Sequence, residues 1–141
     1  MTGGLFAWDG TRWSAMEAPP SCANDRWGDR GTAVRAWVEA NGATWVSCPK
    51  GRVYRRETGQ WIEVIGRPDN SVVPDIYYYD VAAAQGRAWI TGGMGSLIEY
   101  AGNRWAYRSI GTSLHVRALW TTPAGQTWAV GDKGAILSFR P

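Results

Sequence analysis

A repeated strand–turn–strand unit constrains the fold of this chain more than any other sequence feature. In three segments, an apolar strand containing a tryptophan runs into a glycine-flanked turn, and a second apolar strand follows. The tryptophan lies six residues before the turn glycine in every copy. The three pairs are Trp45 and Gly51, Trp89 and Gly95, and Trp128 and Gly134. Because three copies share one internal spacing, the chain contains an internal repeat, and this repeat determines the architecture of the fold.

The spacing of the repeats predicts a β-propeller. Glycine occupies the turn position at 3, 51, 95 and 134, so that successive copies lie 48, 44 and 39 residues apart. Propeller blades are about 40–50 residues long. The 18 Gly and 7 Pro fall between short apolar runs, which favours strands and turns over helices. We therefore expect an all-β protein of four-stranded antiparallel blades, with about three blades in this chain.

The predicted blades make residues 1–141 a single propeller domain with incomplete ends. Full blades are expected at 32–66 and 77–110, whereas 1–17 supplies only third and fourth strands and 114–141 only the first three. Propellers have about 4–8 blades, and an open arc would expose apolar faces and unpaired strand edges. We therefore expect the ring to be completed by self-association, as a homodimer that exchanges strands. The alternative is a fragment of a longer propeller.

Most of the ten tryptophans belong to the repeat. Nine occupy repeat positions, and we interpret them as packing residues that fill the wedges between blades. Trp27 is the exception, and it is flanked by Arg26 and Arg30. It is a candidate for stacking on a sugar or for anchoring a partner, since Trp and Arg are over-represented in such roles. The alternative is that Trp27 folds back over the ring or the subunit junction.

Two segments carry a resemblance to known propellers. They read VRALWTTPAGQTWAVGDKGAIL at 116–137 and GGLFAWDGTRWSAM at 3–16. Both resemble a repeat of bacterial propellers related to the photosystem II assembly factor and to the Asp-box, or sialidase-type, repeats. Only residues 9–13 keep the Asp, Gly and Trp of the Asp-box. A weaker similarity is to Trp-rich propeller lectins of the tectonin-like and fucose-binding types. This second resemblance implies glycan binding in pockets between blades.

Propeller geometry sorts the loops onto two faces. One face, called here the loop-rich face, carries the long connections 18–31 and 66–76 and the turns at 48–51, 92–95 and 131–134. The opposite face has only tight turns. Because binding residues concentrate in long irregular loops, we expect the binding site on the loop-rich face. The candidate ligand- or partner-binding residues are Arg26, Trp27, Arg30, Lys50, Arg67, Asp69, Asn70, Asp132 and Lys133, with Asp29, Asp75 and Met94 on the same face.

Three other features of the sequence leave alternatives open. The run Tyr77-Tyr78-Tyr79 would either line a channel mouth or pack alternately on both sides of a strand. Cys22 and Cys48 map to the loop-rich face, so they could form a disulfide, although no secretion signal accompanies them. His115 is the only histidine and has no nucleophile at an interpretable spacing. We expect it to be structural or solvent-facing.

Charge and composition argue against several classes of function. The net charge is only +3, and 15 basic residues alternate with 12 acidic ones, so we expect no nucleic-acid binding. No apolar stretch approaches the about 18–20 residues of a membrane span. The first ten residues have no signal-peptide pattern, which predicts a cytoplasmic location, or an extracellular one if a signal has been removed. No cofactor or metal is expected, because the cysteines lack metal-ligand spacing.

The sequence thus predicts a non-catalytic propeller scaffold that presents its loop-rich face to a protein partner. The first alternative is a glycan-binding lectin, which would have one site in each gap between blades. The second is a sialidase-like glycoside hydrolase, which would turn over sialosides. A protein partner instead predicts a single contact centred on residues 18–31 and 66–76.

Overall fold

The computed structural model describes residues 5–19, 22, 35–48, 51–65 and 78–140. In this part of the chain the secondary structure is dominated by β-strands. The strands are β1 (Leu5–Trp8), β2 (Trp13–Met16), β3 (Arg35–Val38), β4 (Thr44–Cys48), β5 (Arg52–Glu57), β6 (Gln60–Ile65), β7 (Tyr78–Ala84), β8 (Arg87–Gly92), β9 (Leu97–Ala101), β10 (Arg104–Arg108), β11 (Val116–Thr121), β12 (Thr127–Gly131) and β13 (Ile136–Phe139).

The strands form four antiparallel meanders. Sheet 1 consists of β1–β2, sheet 2 of β3–β6, sheet 3 of β7–β10 and sheet 4 of β11–β13. Within each sheet, strands that follow one another in the chain pair with each other. The prediction of an all-β fold with four-stranded antiparallel blades is confirmed by sheets 2 and 3. Sheets 1 and 4 contain two and three strands among the described residues.

Local turn chemistry produces these meanders, as the β1–β2 hairpin shows. The Asp9 carboxylate accepts hydrogen bonds from the Thr11 N–H at 2.8 Å, the Thr11 hydroxyl at 2.7 Å and the Arg12 N–H at 2.9 Å. Gly10, between Asp9 and Thr11, has φ +100°, a backbone angle that residues with a side chain rarely adopt. An Asp-Gly pair therefore reverses the chain here and brings Trp8 opposite Trp13.

The hydrophobic core lies between the faces of neighbouring sheets. Trp45, Val53 and Ile65 of sheet 2 pack against Val81, Ile90, Ile98 and Tyr100 of sheet 3. A second cluster joins sheets 3 and 4 through Trp89, Leu97, Leu119 and Ala129. Leu5 of sheet 1 packs against Val46 and Tyr54 on the other side of sheet 2. The four sheets therefore follow one another as the blades of a propeller do.

Polar groups also cross the junction between sheets 2 and 3. The buried carboxylate of Glu39 accepts hydrogen bonds from the Trp45 indole N–H at 2.7 Å and from the Gly86 N–H at 3.2 Å. The Trp37 indole N–H donates to the Ala83 carbonyl oxygen at 2.7 Å. Because a buried charge is tolerated only when its lone pairs are satisfied, Glu39 fixes how the two sheets meet.

The interpretation of all nine repeat tryptophans as packing residues is only partly right. Trp45 and Trp89 fill junctions between sheets, with 0% and 7% of their surface exposed. Five others are exposed. Trp105 lies on an outer strand, and the other four lie on open sheet faces: Trp8, Trp13, Trp120 and Trp128. The physical reason is that a repeat tryptophan is buried only where another sheet follows it, and no described sheet covers the outer sides of sheets 1 and 4.

A disulfide settles the alternative that the sequence left open for the cysteines. Cys22 and Cys48 are bonded, and their Cα atoms lie 5.4 Å apart. The bond attaches the connection after sheet 1 to the end of β4. Among the described residues, no helix is long and apolar enough to cross a membrane.

Candidate binding site at the loop-rich face

Turns and blade connections meet on the loop-rich face of sheets 3 and 4. The Asp132 N–H, in the turn between β12 and β13, donates to the His115 carbonyl oxygen at 2.9 Å, just before β11. At the neighbouring turn, a Cβ atom added to Gly95 would overlap the carbonyl oxygen of Thr112. These close approaches place the segment that leads into β11 beside the turns that join second and third strands in sheets 3 and 4.

Four side chains converge at this place and are called here the Tyr79 cluster: Tyr79, His115, Arg117 and Asp132. The Tyr79 hydroxyl lies 3.0 Å from Nδ1 of His115. The Arg117 guanidinium stands over the Tyr79 ring, 5.0 Å from its centroid. The same guanidinium donates two hydrogen bonds to Asp132, at 2.8 and 3.1 Å. The cluster is therefore a continuous chain of contacts between sheets 3 and 4.

Two β-bulges position Tyr79 and Arg117, the central pair of this cluster. The pairing of β7 with β8 shifts register between Tyr78 and Asp80, and the pairing of β11 with β12 shifts between Val116 and Ala118. Tyr79 and Arg117 are the extra residues at these shifts. A bulge redirects the side chain of its extra residue away from the regular alternation. Two bulges at matching places in neighbouring first strands thus bring the arginine onto the tyrosine ring.

Arg35 and Asp80 extend the charged surface toward sheet 2. Arg35 donates to the Tyr79 carbonyl oxygen at 3.1 Å. Asp80 accepts from the Val81 N–H at 2.9 Å and from the Leu119 N–H at 2.8 Å, so it also ties β7 to β11. Burial raises the pKa of the Asp80 carboxyl, although the two N–H groups and the charge of Arg35 oppose this.

Arg117 and Asp132 each shift the pKa of the other toward its charged form. The hydrogen bond from Arg117 lowers the pKa of Asp132, and the hydrogen bond to Asp132 raises the pKa of Arg117. Arg117 is nevertheless half exposed, with 52% of its side chain accessible. It therefore offers a fixed, charged and partly stacked guanidinium to solvent. Such a guanidinium can bind carboxylate, carbonyl or aromatic groups.

Of the predicted site residues, the structure describes two. Asp132 and Lys133 lie in the 3-10 turn Asp132–Gly134 between β12 and β13, and Lys133 is exposed beside the cluster. Met94 lies on the same face in the β8–β9 turn and is also exposed. The other candidates predicted from the sequence fall outside the described residues and remain predictions: Arg26, Trp27, Arg30, Lys50, Arg67, Asp69 and Asn70.

Sequence reasoning did not identify Arg117 and Arg35 as site residues. A signal existed, because the nearly identical words VRAW (34–37) and VRAL (116–119) place an arginine at the start of two first strands. In the tyrosine run, Tyr78 is buried and Tyr79 faces the cluster, which agrees with packing on alternate sides of the strand, and Tyr77 lies outside the described residues. His115 is half-buried and contacts Tyr79. Within the described residues, no three metal-ligating side chains come together.

A cleft of about 520 Å³ opens on the opposite, tight-turn face, between sheets 1 and 2. Its walls are turn residues and the end of β2, including Met16, Asn41, Arg56 and Gly59. Arg56 is already held there, since it donates to the Gly59 carbonyl oxygen at 3.1 Å. Most of the lining is short turn backbone, so the cleft lacks the converging charged groups of the Tyr79 cluster.

Comparisons with known proteins support the fold. No protein-family model and no curated protein matches the chain. Among solved structures, it is similar to YCF48 bound to a D1 peptide, with 17% identity and a TM-score of 0.63 over 99% of this chain and 44% of that one. It is also similar to a catalytically inactive virginiamycin B lyase from Staphylococcus aureus with quinupristin, with 12% identity and a TM-score of 0.53 over 77% of this chain and 41% of that one.

These likenesses confirm the propeller fold and the propeller resemblance found in the repeat. The chain spans less than half the length of each of these two structures. One of the two is named for a bound peptide and the other is a lyase, so the fold itself serves both binding and catalysis.

Proposed function

We propose that this chain is a non-catalytic propeller module that binds an extended segment of a protein partner at its loop-rich face. The observation that carries the proposal is Arg117, which is stacked on Tyr79, bonded to Asp132 by two hydrogen bonds, and still half exposed. Arginines in such settings are enriched among the residues that dominate protein interfaces.

The contacts of Arg117 prepare it for binding. A free arginine loses rotamer freedom when a partner immobilises it, and this loss weakens binding. Here the ring of Tyr79 and the carboxylate of Asp132 already hold the side chain. The hydrogen bonds to Asp132 use two of the five guanidinium N–H groups. The remaining donors can then meet backbone carbonyls or carboxylates of a peptide at a smaller entropic cost.

A peptide also fits the shape of the site better than a compact ligand does. Arg35 of β3 and Lys133 of sheet 4 flank the Tyr79 cluster, so the charged surface extends from β3 across β7 to the β12–β13 turn. It therefore runs across the ends of three sheets instead of closing around one pocket. The similar propeller YCF48 is described with a bound D1 peptide, which agrees with this mode of binding at the level of fold.

The proposal is tested on an array of overlapping peptides probed with the chain, followed by anisotropy titration of the peptides that bind. Arg117→Ala should weaken their affinity by at least about tenfold. Arg117→Lys should weaken it similarly, because lysine neither stacks nor forms the bidentate pair. Arg12→Ala is the matched control, since Arg12 also pairs with an aspartate, Asp9, but lies on the tight-turn face. Peptides that bind Arg117→Ala as well as wild type, or an array without binding, would contradict the proposal.

The glycan alternative predicts an open site between blades, and this is absent where sheet 2 meets sheet 3 and where sheet 3 meets sheet 4. Trp45 and Trp89 are buried there, against Tyr100 and Phe139, and leave no open platform for a sugar. A glycan array and a chromogenic sialoside assay on the same sample test the lectin and the hydrolase directly. Either a glycan bound with an affinity above that of every peptide, or turnover of the sialoside, would replace the proposal of a peptide-binding module.

The proposed location follows from the cysteines. Disulfides persist mainly in oxidising compartments, so the Cys22–Cys48 bond argues against the cytoplasmic location predicted from the sequence. We therefore place the protein in an oxidising compartment. Thiol counting on protein isolated from its native cells under denaturing conditions tests this, and two free thiols would restore the cytoplasmic prediction.

A further inference from the structure

The turn between β8 and β9 displays one apolar side chain beside the Tyr79 cluster. Met94 is 71% exposed there, on the loop-rich face. A Cβ atom added to its neighbour Gly93 would lie 3.5 Å from Nδ1 of His115 and 3.7 Å from the Tyr79 hydroxyl. The backbone that carries Met94 therefore adjoins the tyrosine and the histidine of the cluster.

Met94 occupies a backbone conformation that other turns of the chain give to polar residues. Five described residues other than glycine have a positive φ, all of them are exposed, and Met94 is the only apolar one. The other four are Thr58, Gln85, Asn103 and Lys133. One exposed apolar side chain is ordinary on a protein surface. At this position, however, the local backbone gives no reason for an apolar residue.

The turn is held from both sides, so that Met94 is presented at a fixed place. The Gly93 carbonyl oxygen accepts hydrogen bonds from the Ser96 N–H at 3.1 Å and from the Ser96 hydroxyl at 2.7 Å. On the other side, Gly95 lies so close to the Thr112 carbonyl oxygen that no Cβ atom would fit. Sheet 3 is also packed between sheets 2 and 4, so Met94 lies within the described arc and not at one of its ends.

We propose that Met94 is the apolar anchor of the peptide site, and that the bound segment carries an apolar side chain that packs on it. This inference rests on the proposed function and names the chemistry of the partner. An unbranched thioether adapts to apolar side chains of different shapes, and a rigid turn lowers the entropic cost of binding. Met94 and Lys133 hold the same turn position in sheets 3 and 4. The segment therefore places its apolar side chain over sheet 3 and its hydrogen-bonding groups over sheet 4.

Anisotropy titration tests the anchor with the peptides that Arg117→Ala releases. Met94→Gln should weaken their affinity at least about fivefold, whereas Met94→Leu should change it less than about twofold. The glutamine keeps the turn, because Gln85 and Gly86 have φ 55° and 74° where Met94 and Gly95 have 55° and 70°. Thr58→Gln is the matched control at the same kind of turn on the tight-turn face, and it should leave binding unchanged.

A change in the peptide tests the partner's half of the contact. Replacing the apolar residue of the bound segment by serine should weaken binding to wild type but add little to Met94→Gln, because both changes remove one contact. Additive losses, or a Met94→Gln variant that binds as well as wild type, overturn the inference. If Arg117→Ala still weakens binding in that case, the proposed function stands without the anchor. If neither variant weakens binding, or no peptide binds, both fail.

Oxidation gives an independent test at the same sulfur atom. Hydrogen peroxide transfers one oxygen atom to the thioether and is itself reduced to water, so the apolar side chain becomes polar. Mass spectrometry of proteolytic fragments should find the sulfoxide at Met94 before Met16, which is half-buried. Oxidised wild type should then lose peptide affinity as Met94→Gln does, and Met94→Leu should keep its affinity after the same treatment. Full conversion of Met94 without a loss of affinity would overturn the inference.

Discussion

Replacing Trp45 by alanine should remove much of the stability of the chain. Trp45 is fully buried between sheets 2 and 3 and packs edge-on to Tyr100. Truncating such a side chain to alanine costs about 3–5 kcal/mol. The buried carboxylate of Glu39 also loses its 2.7 Å donor and keeps only the Gly86 N–H, which adds about 1–3 kcal/mol. The expected loss of unfolding free energy is therefore about 4–8 kcal/mol.

Two further variants separate these contributions. Trp45→Phe keeps an aromatic ring in the junction but removes the indole N–H, so it should cost mainly the about 1–3 kcal/mol of the orphaned carboxylate. Trp128→Ala changes the same repeat position on an open face. It should change the unfolding free energy by less than about 1 kcal/mol, because Trp128 is 40% exposed and no described sheet packs against it.

Guanidinium chloride unfolding at equilibrium, followed by far-ultraviolet circular dichroism, measures all three variants without relying on tryptophan fluorescence. The denaturant dependence of the unfolding free energy should stay constant, so that the midpoints report stability. A loss below about 1.5 kcal/mol for Trp45→Ala would refute the assignment of this junction as the core. Equal losses of unfolding free energy for Trp45→Ala and Trp45→Phe would refute a contribution from packing, and only the hydrogen bond to Glu39 would then explain the loss.

Three other predictions concern a turn, a buried acid and the disulfide. Gly95→Ala should destabilise the chain by more than Gly86→Ala in thermal unfolding, because both have positive φ but only at Gly95 would the Cβ overlap another backbone group. Burial raises the pKa of Asp80, so its ionisation lowers stability as the pH rises above the ordinary value of 3.8. Asp80→Asn should therefore gain stability relative to wild type as the pH rises above 3.8 in urea titrations, and a constant difference would contradict this. Cys22→Ser should cost about 2–4 kcal/mol, and dithiothreitol should lower the stability of wild type but not of the variant.

The fold was largely predictable because its signals are local. The spacing of each repeat tryptophan from its turn glycine predicted an apolar strand on either side of Gly51, and the structure has Thr44–Cys48 and Arg52–Glu57 there. Alternation along strands and the Asp-Gly turn at Asp9 act within a few residues, so a single sequence is enough to locate them. The loop-rich face followed from the order of the strands alone.

The candidate site was predictable only in part. Asp132 lies in a turn whose position the repeat determines, and it was named from the sequence. Its partnership with Arg117 and the stacking of Arg117 on Tyr79 were not, since Tyr79 and Arg117 are 38 residues apart and meet through bulges in two different sheets. The bulged strands carry no glycine at the shifts, although Gly92 and Gly131 lie opposite them on the partner strands.

The sequence by itself determined the repeat, the turns and which face of each strand is apolar, because these depend on neighbours in the chain. Only the tertiary structure decided which equivalent residues are buried. Trp45, Trp89 and Trp128 occupy one repeat position, yet they are 0%, 7% and 40% exposed. The physical reason is that burial depends on the sheet that packs against each residue. Sheets 3 and 4 cover the first two tryptophans, and no described sheet covers the third.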